Sequence, residues 1–580
     1  MRRITAAVAA SAAAALVFSA CAPPEAGTDG DNGSEGGGST VSQSISLTRG
    51  AVEFAGYNGR IPSTYNTYNS VILDQVLIGF SYFGPEGEIE MNTDLGSYEL
   101  VSDDPMVIEY TINDNAVWSD GTPITVADSV LAWGTQNPNL ELDGEPLFNS
   151  VSVGLGDEVP AGPQGDVDGK SFTVEYADPN PDWRLQTWLS EPAHIVAEQA
   201  GMSTTELAEA ILAGDSDAIA DAAEFWNTGW NSATGTLPDA ELIPASGPYT
   251  ITSWAAGESV TLTANESYYG SDFGPQNDEL IVRFVADDAM PQALDNGDVN
   301  VIGPQPTVDT LAQLSAMDGV TTYQRDTLTW EHLDFNFIDG GLFADDLELR
   351  EAFALCVPRQ QIIDTLIAPI NPDAQVMNAR EVFPFQDDYA EVTDFSYDGR
   401  YDEVDIDASA ALLDASGADN LDVRIGYQAP NPRRSEQVEL IKASCDQAGF
   451  NIIDGGSEEF FAEGGVMDRG DYEVALFAWA GSGQITSGEN IYATGKPQNF
   501  GKYSNETVDE AWSKLIVSLD EDVQLEQTKI IEKELWDSLH GIPLFAHPGV
   551  DAAASDIENV IPTATQGGIS WNAYAWHRAE

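Results

Sequence analysis

Val117-Trp118-Ser119-Asp120-Gly121-Thr122-Pro123-Ile124-Thr125-Val126-Ala127-Asp128-Ser129-Val130-Leu131-Ala132-Trp133 contains a strand end, a turn and a helix start in seventeen residues. Asp120-Gly121 supplies the turn, because glycine accepts the backbone angles that a tight reversal needs. Thr125 can accept a hydrogen bond from the first helical turn, and Asp128, three residues on, can return one to Thr125. That reciprocal pair is a capping box, and its carboxylate also suits the positive end of the helix dipole. The segment specifies local structure and carries no reactive group.

The same alternation of strand and helix signals extends outward. Runs 107–112, 249–251 and 260–263 show partial two-residue alternation between turn residues, as strands do. Residues 51–55 predict the first strand. In 504–519 the apolar positions Val508, Ala511, Trp512, Leu515, Ile516 and Leu519 keep helical spacing behind Ser504 or Asn505 as cap. A further helix is predicted over about 523–539, with Gly541 closing it in the left-handed conformation before Pro543. No repeat is present, and the chain reads as α/β.

Composition limits what such a chain can do. Its 580 residues are 42% hydrophobic and 21% charged, with 13 Trp, 19 Tyr and 22 Phe, which is globular composition. Asp and Glu number 96 against 23 Lys and Arg, for a net charge of −73. Binding a polyanion needs a cationic surface, so no nucleic-acid function is expected. The acid is dispersed along the chain and reads as a solvated surface.

The N-terminus reads as a delivery segment. Met1-Arg2-Arg3 precedes an apolar, Ala-rich stretch to Ala20, the pattern of an export signal over 1–20. Phe18-Ser19-Ala20-Cys21 resembles the bacterial lipobox, with Phe18 where that pattern usually has Leu, so Cys21 is the expected lipidation site. The Gly- and Ser-rich run 21–44 reads as a flexible tether. Cys356 and Cys445 fall on apolar faces of predicted helices. Export permits a disulfide, but the expectation is two buried small hydrophobes. The five His are scattered and no CxxC occurs, so neither metal nor cofactor is expected.

The segment 117–133 resembles the W-x-D-G-T-P-x-T-A-x-D signature of the family 5 extracytoplasmic solute-binding proteins, peptide- and nickel-binding receptors of ABC importers. Ser246-Gly247-Pro248-Tyr249 with Trp254, Asn265 and Tyr268-Tyr269 is similar to a second stretch of that family. Residues 293–299, 333–336, 345–353, 503–509 and 542–545 resemble later ones, in family order. The resemblance implies a two-lobed, type II periplasmic-binding-protein-like fold with an extra domain on lobe one. Lobe one would comprise 45–65, 191–330 and 546–580, the extra domain 66–190, and lobe two 331–545. It further implies a lipid-anchored monomer on the outer face of the cell membrane that passes a peptide or other small solute to an ABC permease.

One position departs from that family's peptide binders. They carry an Asp three residues after a lobe-two Trp, where it meets the peptide ammonium; the matching run Phe477-Ala478-Trp479-Ala480-Gly481-Ser482 has Ser482 there. Glu489 is a candidate replacement. Backbone around Ala478, Trp479 and Ala480 could pair with an extended ligand as an added strand. Tyr57 and Asn58 follow the first predicted strand, and Trp330 and Trp479 could stack on ligand groups, although each reads equally as core. Arg359 reads as a surface residue and Asn336 as ordering its own turn. No G-x-S-x-G elbow, H-E-x-x-H pair or phosphate loop occurs, so an enzyme is not expected; a secreted, surface-anchored hydrolase is the alternative.

Overall fold

A computed structural model describes residues 44–579 except Glu86, Asp419, Glu463 and Ser482. The predicted signal, the tether up to Ser44, Cys21 and Ser482 lie outside the described residues. The organising element is a ten-stranded mixed sheet. Its order is Tyr249–Ala255, Ser259–Ala264, Glu279–Phe284, Ser44–Gly50, Val301–Ile302, Gly541–Ala554, Val320–Phe335, Val474–Ala480, Asp422–Gln428 and Asn451–Ser457. Two of these are long. Gly541–Ala554 and Val320–Phe335 run antiparallel, pairing with lobe-one strands at one end and lobe-two strands at the other.

The apolar residues sort into separate cores along that pair. One joins Ile45, Leu47, Val260, Leu262 and Trp576 to a smaller sheet of Gly96–Asp103, Met106–Ile112, Ser171–Glu175 and Gln164–Gly165 and its helices. The next largest is built on lobe-two residues such as Phe353, Ile425, Val438, Leu476 and Phe545. The architecture is therefore α/β and two-lobed. Val320–Phe335 is continuous through both lobes, but its pairing with Gly541–Ala554 shifts register between Asp326↔Pro548 and Trp330↔Ala546. A ladder interrupted at the crossing is where bending is least opposed.

A buried charge cluster ties that crossing to lobe two. Glu331, just past the irregularity, meets Arg434 Nε at 2.8 Å and His547 Nε2 at 2.8 Å, and accepts from Gln437 Nε2 at 3.2 Å. Burial pushes its carboxyl up. The hydrogen bond from His547 and the charges of Arg433 and Arg434 outweigh that and hold it well below the ordinary range. For His547 the balance is reversed: burial, aided by Arg433, lowers the imidazole to about 4 despite Glu331.

Several local expectations match the structure. Thr125 and Asp128 form the capping box of helix Val126–Gly134, and Asp128 also accepts from Trp118 Nε1 at 3.3 Å and the Ala193 amide at 3.0 Å. Asn505, rather than Ser504, caps Glu506–Leu515. Others need correction. The first strand is Ser44–Gly50, and residues 51–55 are irregular because the ladder to Glu279–Phe284 ends at Gly50↔Phe284. Leu539, not Gly541, takes the left-handed conformation after helix Glu521–Asp537, with φ of 48°. Gly541 is instead required in the sheet, since a Cβ there would sit 2.5 Å from the Leu333 carbonyl. Arg359 is buried, not superficial: it bonds Asn378, Tyr397 and Asp402 and lies over the Trp536 ring at 5.5 Å.

Cys356 and Cys445 form a disulfide, contrary to the expectation of two separate thiols. Helices Leu347–Cys356 and Pro432–Ala448 pack closely enough to bring their Cα atoms to 4.9 Å, a proximity that sequence spacing does not reveal. The bridge closes a separation of 89 residues. Replacing both cysteines by serine should cost about 2–4 kcal/mol of unfolding free energy, read from the denaturant midpoint; an unchanged midpoint would contradict a stabilising role. The His547 imidazole is held below its unfolded value, so its favourable contribution is complete above about pH 6.5 and fades towards pH 4. His547→Gln should therefore flatten the loss of stability across that window by roughly 1–3 kcal/mol, and parallel curves for the two proteins would contradict this.

Candidate functional site

Two adjoining cavities, of about 400 and 320 Å³, share Asp74, Phe83, Thr565, Gly567 and Trp571 in their common wall. The larger lies between the hairpin bearing Tyr82 and Phe83, the segment 184–189 and the C-terminal loop 565–571; the smaller reaches Gln484 of lobe two. Volumes of this size suit a small solute.

Each wall has a local cause. Asn66 caps helix Thr67–Leu73 and Asp74 ends it, projecting from the exit turn. Strands Ser81–Phe83 and Ile89–Met91 form the hairpin. Tyr82 lies parallel to Trp571 with centroids 6.1 Å apart and meets Phe273 edge-on at 4.9 Å, giving an aromatic wall. Arg49 holds the C-terminal loop, donating to the Gly567 carbonyl at 2.6 Å.

The charges are mixed. Asp74 is an exposed residue at the edge of the shared space, where desolvation by the surrounding protein raises its carboxyl above the ordinary range, opposed by Arg60. Arg60 Nε lies 3.7 Å from Glu191 Oε1, and Glu191 also accepts from Trp226 Nε1 at 3.1 Å. Arg184 stacks over Trp183 at 4.7 Å.

The lobes touch beside these cavities. Asp182 is nearly inaccessible, and its carboxylate accepts from the amides of Ile485 and Thr486, each at 2.9 Å, and from Thr486 Oγ1 at 2.6 Å. Gly483, with φ of 73°, presses on Phe83: a Cβ would lie 2.9 Å from that ring. The Gly481 amide donates to the Leu328 carbonyl at 2.6 Å. Gly481 and residues 483–486 of lobe two are thus clasped by the opposite half of the molecule.

Of the residues singled out from sequence, those among the described residues lie elsewhere, and none of them lines either cavity. Tyr57 and Asn58 are buried in lobe one, where the Tyr57 hydroxyl donates to the Pro244 carbonyl at 2.5 Å and Asn58 Nδ2 to that of Trp226 at 2.8 Å. Trp330 packs with Leu328, Met377, Phe383 and Ala564. Trp479 is half-buried between Phe500 and His332 and its indole N–H has no partner among the described residues. Ala478 and Ala480 sit where Val474–Ala480 has outrun its parallel neighbour, which pairs only at Val474 and Ala475. Glu489 pairs with Lys496 at 2.7 Å. Asn336 does order its own turn, accepting from the Ile338 amide at 3.0 Å. The sequence reading missed Asp74, Arg60, Arg184 and the Tyr82–Trp571 wall. The available signal was scarcity, since basic residues are rare in this chain and two of them line one cavity.

Comparison with known proteins agrees with this architecture. An uncharacterized lipoprotein of Mycobacterium tuberculosis is 28% identical over 88% of this chain and 91% of its own. The oligopeptide-binding protein OppA of Mycobacterium bovis is 24% identical over 82% of this chain and 75% of its own. Among solved structures, the periplasmic EDTA-binding protein EppA superposes with a TM-score of 0.80 at 21% identity, covering 93% of this chain and 97% of that one, a likeness of fold. The family model for bacterial extracellular solute-binding proteins, family 5 middle, matches residues 91–501. The chain belongs to the family 5 bacterial extracellular solute-binding proteins.

Proposed function

We propose that this protein captures a small solute, an oligopeptide by preference, in the joined cavities and delivers it to an ABC permease without altering it. The observation that carries the reading is the clasp of Asp182 on Ile485 and Thr486, a contact between lobes set beside the cavities; in this reading it forms as the lobes close. Ligand groups bridging the lobes would add to that contact and shift the population towards the closed form. In this reading 45–65, 191–330 and 546–580 move as one lobe with 66–190 attached, and 331–545 as the other. The likeness to an oligopeptide-binding protein supports the peptide class. Stacking on Trp479 and pairing along Ala478–Ala480 remain open to longer ligands, since among the described residues the parallel neighbour pairs only as far as Ala475.

The same reading places the protein outside the cytoplasm, held to the cell membrane by a lipid on Cys21. Among the described residues no helix is long and apolar enough to cross a membrane, and the lipoprotein relatives support the anchor.

Titration calorimetry with a di- to pentapeptide panel tests capture, and binding by none of them would contradict the peptide class. Asp182→Ala should leave the circular dichroism spectrum unchanged and weaken the best peptide about tenfold, since a contact made only on closing is removed; equal affinity would remove the clasp from the account. Cys21→Ala should move the protein from the membrane fraction to the soluble one, and retention in the membrane would contradict the anchor.

A further inference from the structure

Beyond the crossing, a short loop of lobe two reaches over the gap, where Gly483, Ile485 and Thr486 meet Phe83, Gly87 and Asp182. All three receiving residues belong to the segment 66–190 and lie outside the ten-stranded sheet. Lobe two thus touches the segment inserted into lobe one.

The receiving surface is firmly seated. The Asp182 amide donates to Asn180 Oδ1 at 2.8 Å, Asn180 Nδ2 donates to Glu158 Oε2 at 2.9 Å, and the next residue, Trp183, is buried edge-on to Tyr98 at 5.2 Å. The hairpin that carries Phe83 is pinned to the C-terminal loop. Its Pro85 carbonyl accepts from the Ala564 amide at 3.1 Å, and its Gly84 carbonyl accepts from Thr563 Oγ1 at 2.7 Å. Ile108, Trp118 and Phe172 of the segment share one apolar core with Ile45 and Val260 of the lobe-one sheet. Close packing of that kind makes segment and sheet one body.

The contact itself suits reversible closing. Asp182 is 4% exposed, and its carboxylate is held by two amides and a hydroxyl, all of them neutral donors. With the lobes apart, water would solvate that carboxylate, so shutting exchanges hydration for three charge-assisted hydrogen bonds and the net gain is small. Gly483 supplies the fit. Its φ of 73° and its lack of a side chain permit an approach that a Cβ, 2.9 Å from the Phe83 ring, would block. Residues 77–83 and 184–187 of the same segment line the larger cavity. A solute seated there lies against the surface that lobe two meets.

We propose that the segment 66–190 is the jaw on which lobe two shuts, with Asp182 and Phe83 as its latch and the lobe-one sheet as its support. This deepens the solute-capture reading and rests on it.

Calorimetry with the tightest binder of the di- to pentapeptide panel tests the latch. Gly483→Ala should weaken that peptide at least about tenfold in the wild type and by less than about twofold in Phe83→Ala, because removing the ring removes the clash. The strain of an alanine at this φ is common to both backgrounds and does not produce the difference. Equal losses in the two backgrounds, or no loss in the wild type, would overturn the latch. Spin labels test the jaw without touching it, at exposed Glu109 in the segment, Ser253 in the lobe-one sheet and Lys514 in lobe two. The separation between Glu109→Cys and Lys514→Cys should shorten when the peptide binds, and that between Glu109→Cys and Ser253→Cys should stay the same. Binding that leaves the first separation unchanged, or that alters the second, would overturn the assignment while leaving solute capture intact. Failure of the wild type to bind any peptide of the panel would contradict the peptide reading itself, and this assignment with it.

Discussion

The two largest cores of this molecule are spanned by one pair of hydrogen-bonded strands, and the account of function rests on how that pair crosses from one to the other. Val320–Phe335 and Gly541–Ala554 keep the lobes in a fixed order and on a common sheet. Their ladder shifts register at Asp326–Trp330, so the covalent and hydrogen-bonded connection is thinnest at the crossing. A packed core resists bending, because displacing close-packed side chains forfeits contacts throughout.

Polar interactions then set what the crossing can do. Glu331 and His547, one on each long strand, are drawn together with Arg433 and Arg434 at the start of helix Pro432–Ala448, which fixes the lobe-two side of the crossing. The lobes also meet through an apolar cluster of Leu328, Trp330, Met377, Phe383 and Ala564 at the crossing, through Asp182 on the 485–486 backbone, and through the close approach of Gly483 to Phe83. The polar contacts are individually worth about a kcal/mol in net terms. A closed form that depends on them can be biased by a ligand that touches both sides.

Local structure was legible in the sequence where one residue decides it. The Thr125–Asp128 box, the Asn505 cap and the amphipathic pattern of 506–515 depend on neighbours within four positions. Features set by distant segments were not. Cys356 and Cys445 meet because two helices pack, Arg359 is buried because Tyr397, Asp402 and Trp536 surround it, and Gly541 is needed for the approach of Leu333. The cavities suffered most from this limit. Their walls come from residues 60–92, 184–189, 273, 484 and 565–571, which no motif links, whereas Tyr57 and Asn58 follow a strand whose exit runs into the interior rather than towards the gap. Resemblance located the lobes' sequence landmarks, while the placement of charge around Asp74 required coordinates.

The central claim is that the lobes hinge about the crossing and shut on a solute. Spin labels on an exposed site of each half, Asp217→Cys and Lys514→Cys, report their separation directly by pulsed dipolar spectroscopy. The account predicts a broad, longer distance distribution without peptide that narrows and shortens when a bound tripeptide saturates the protein. A single distribution, identical with and without bound peptide, would contradict it.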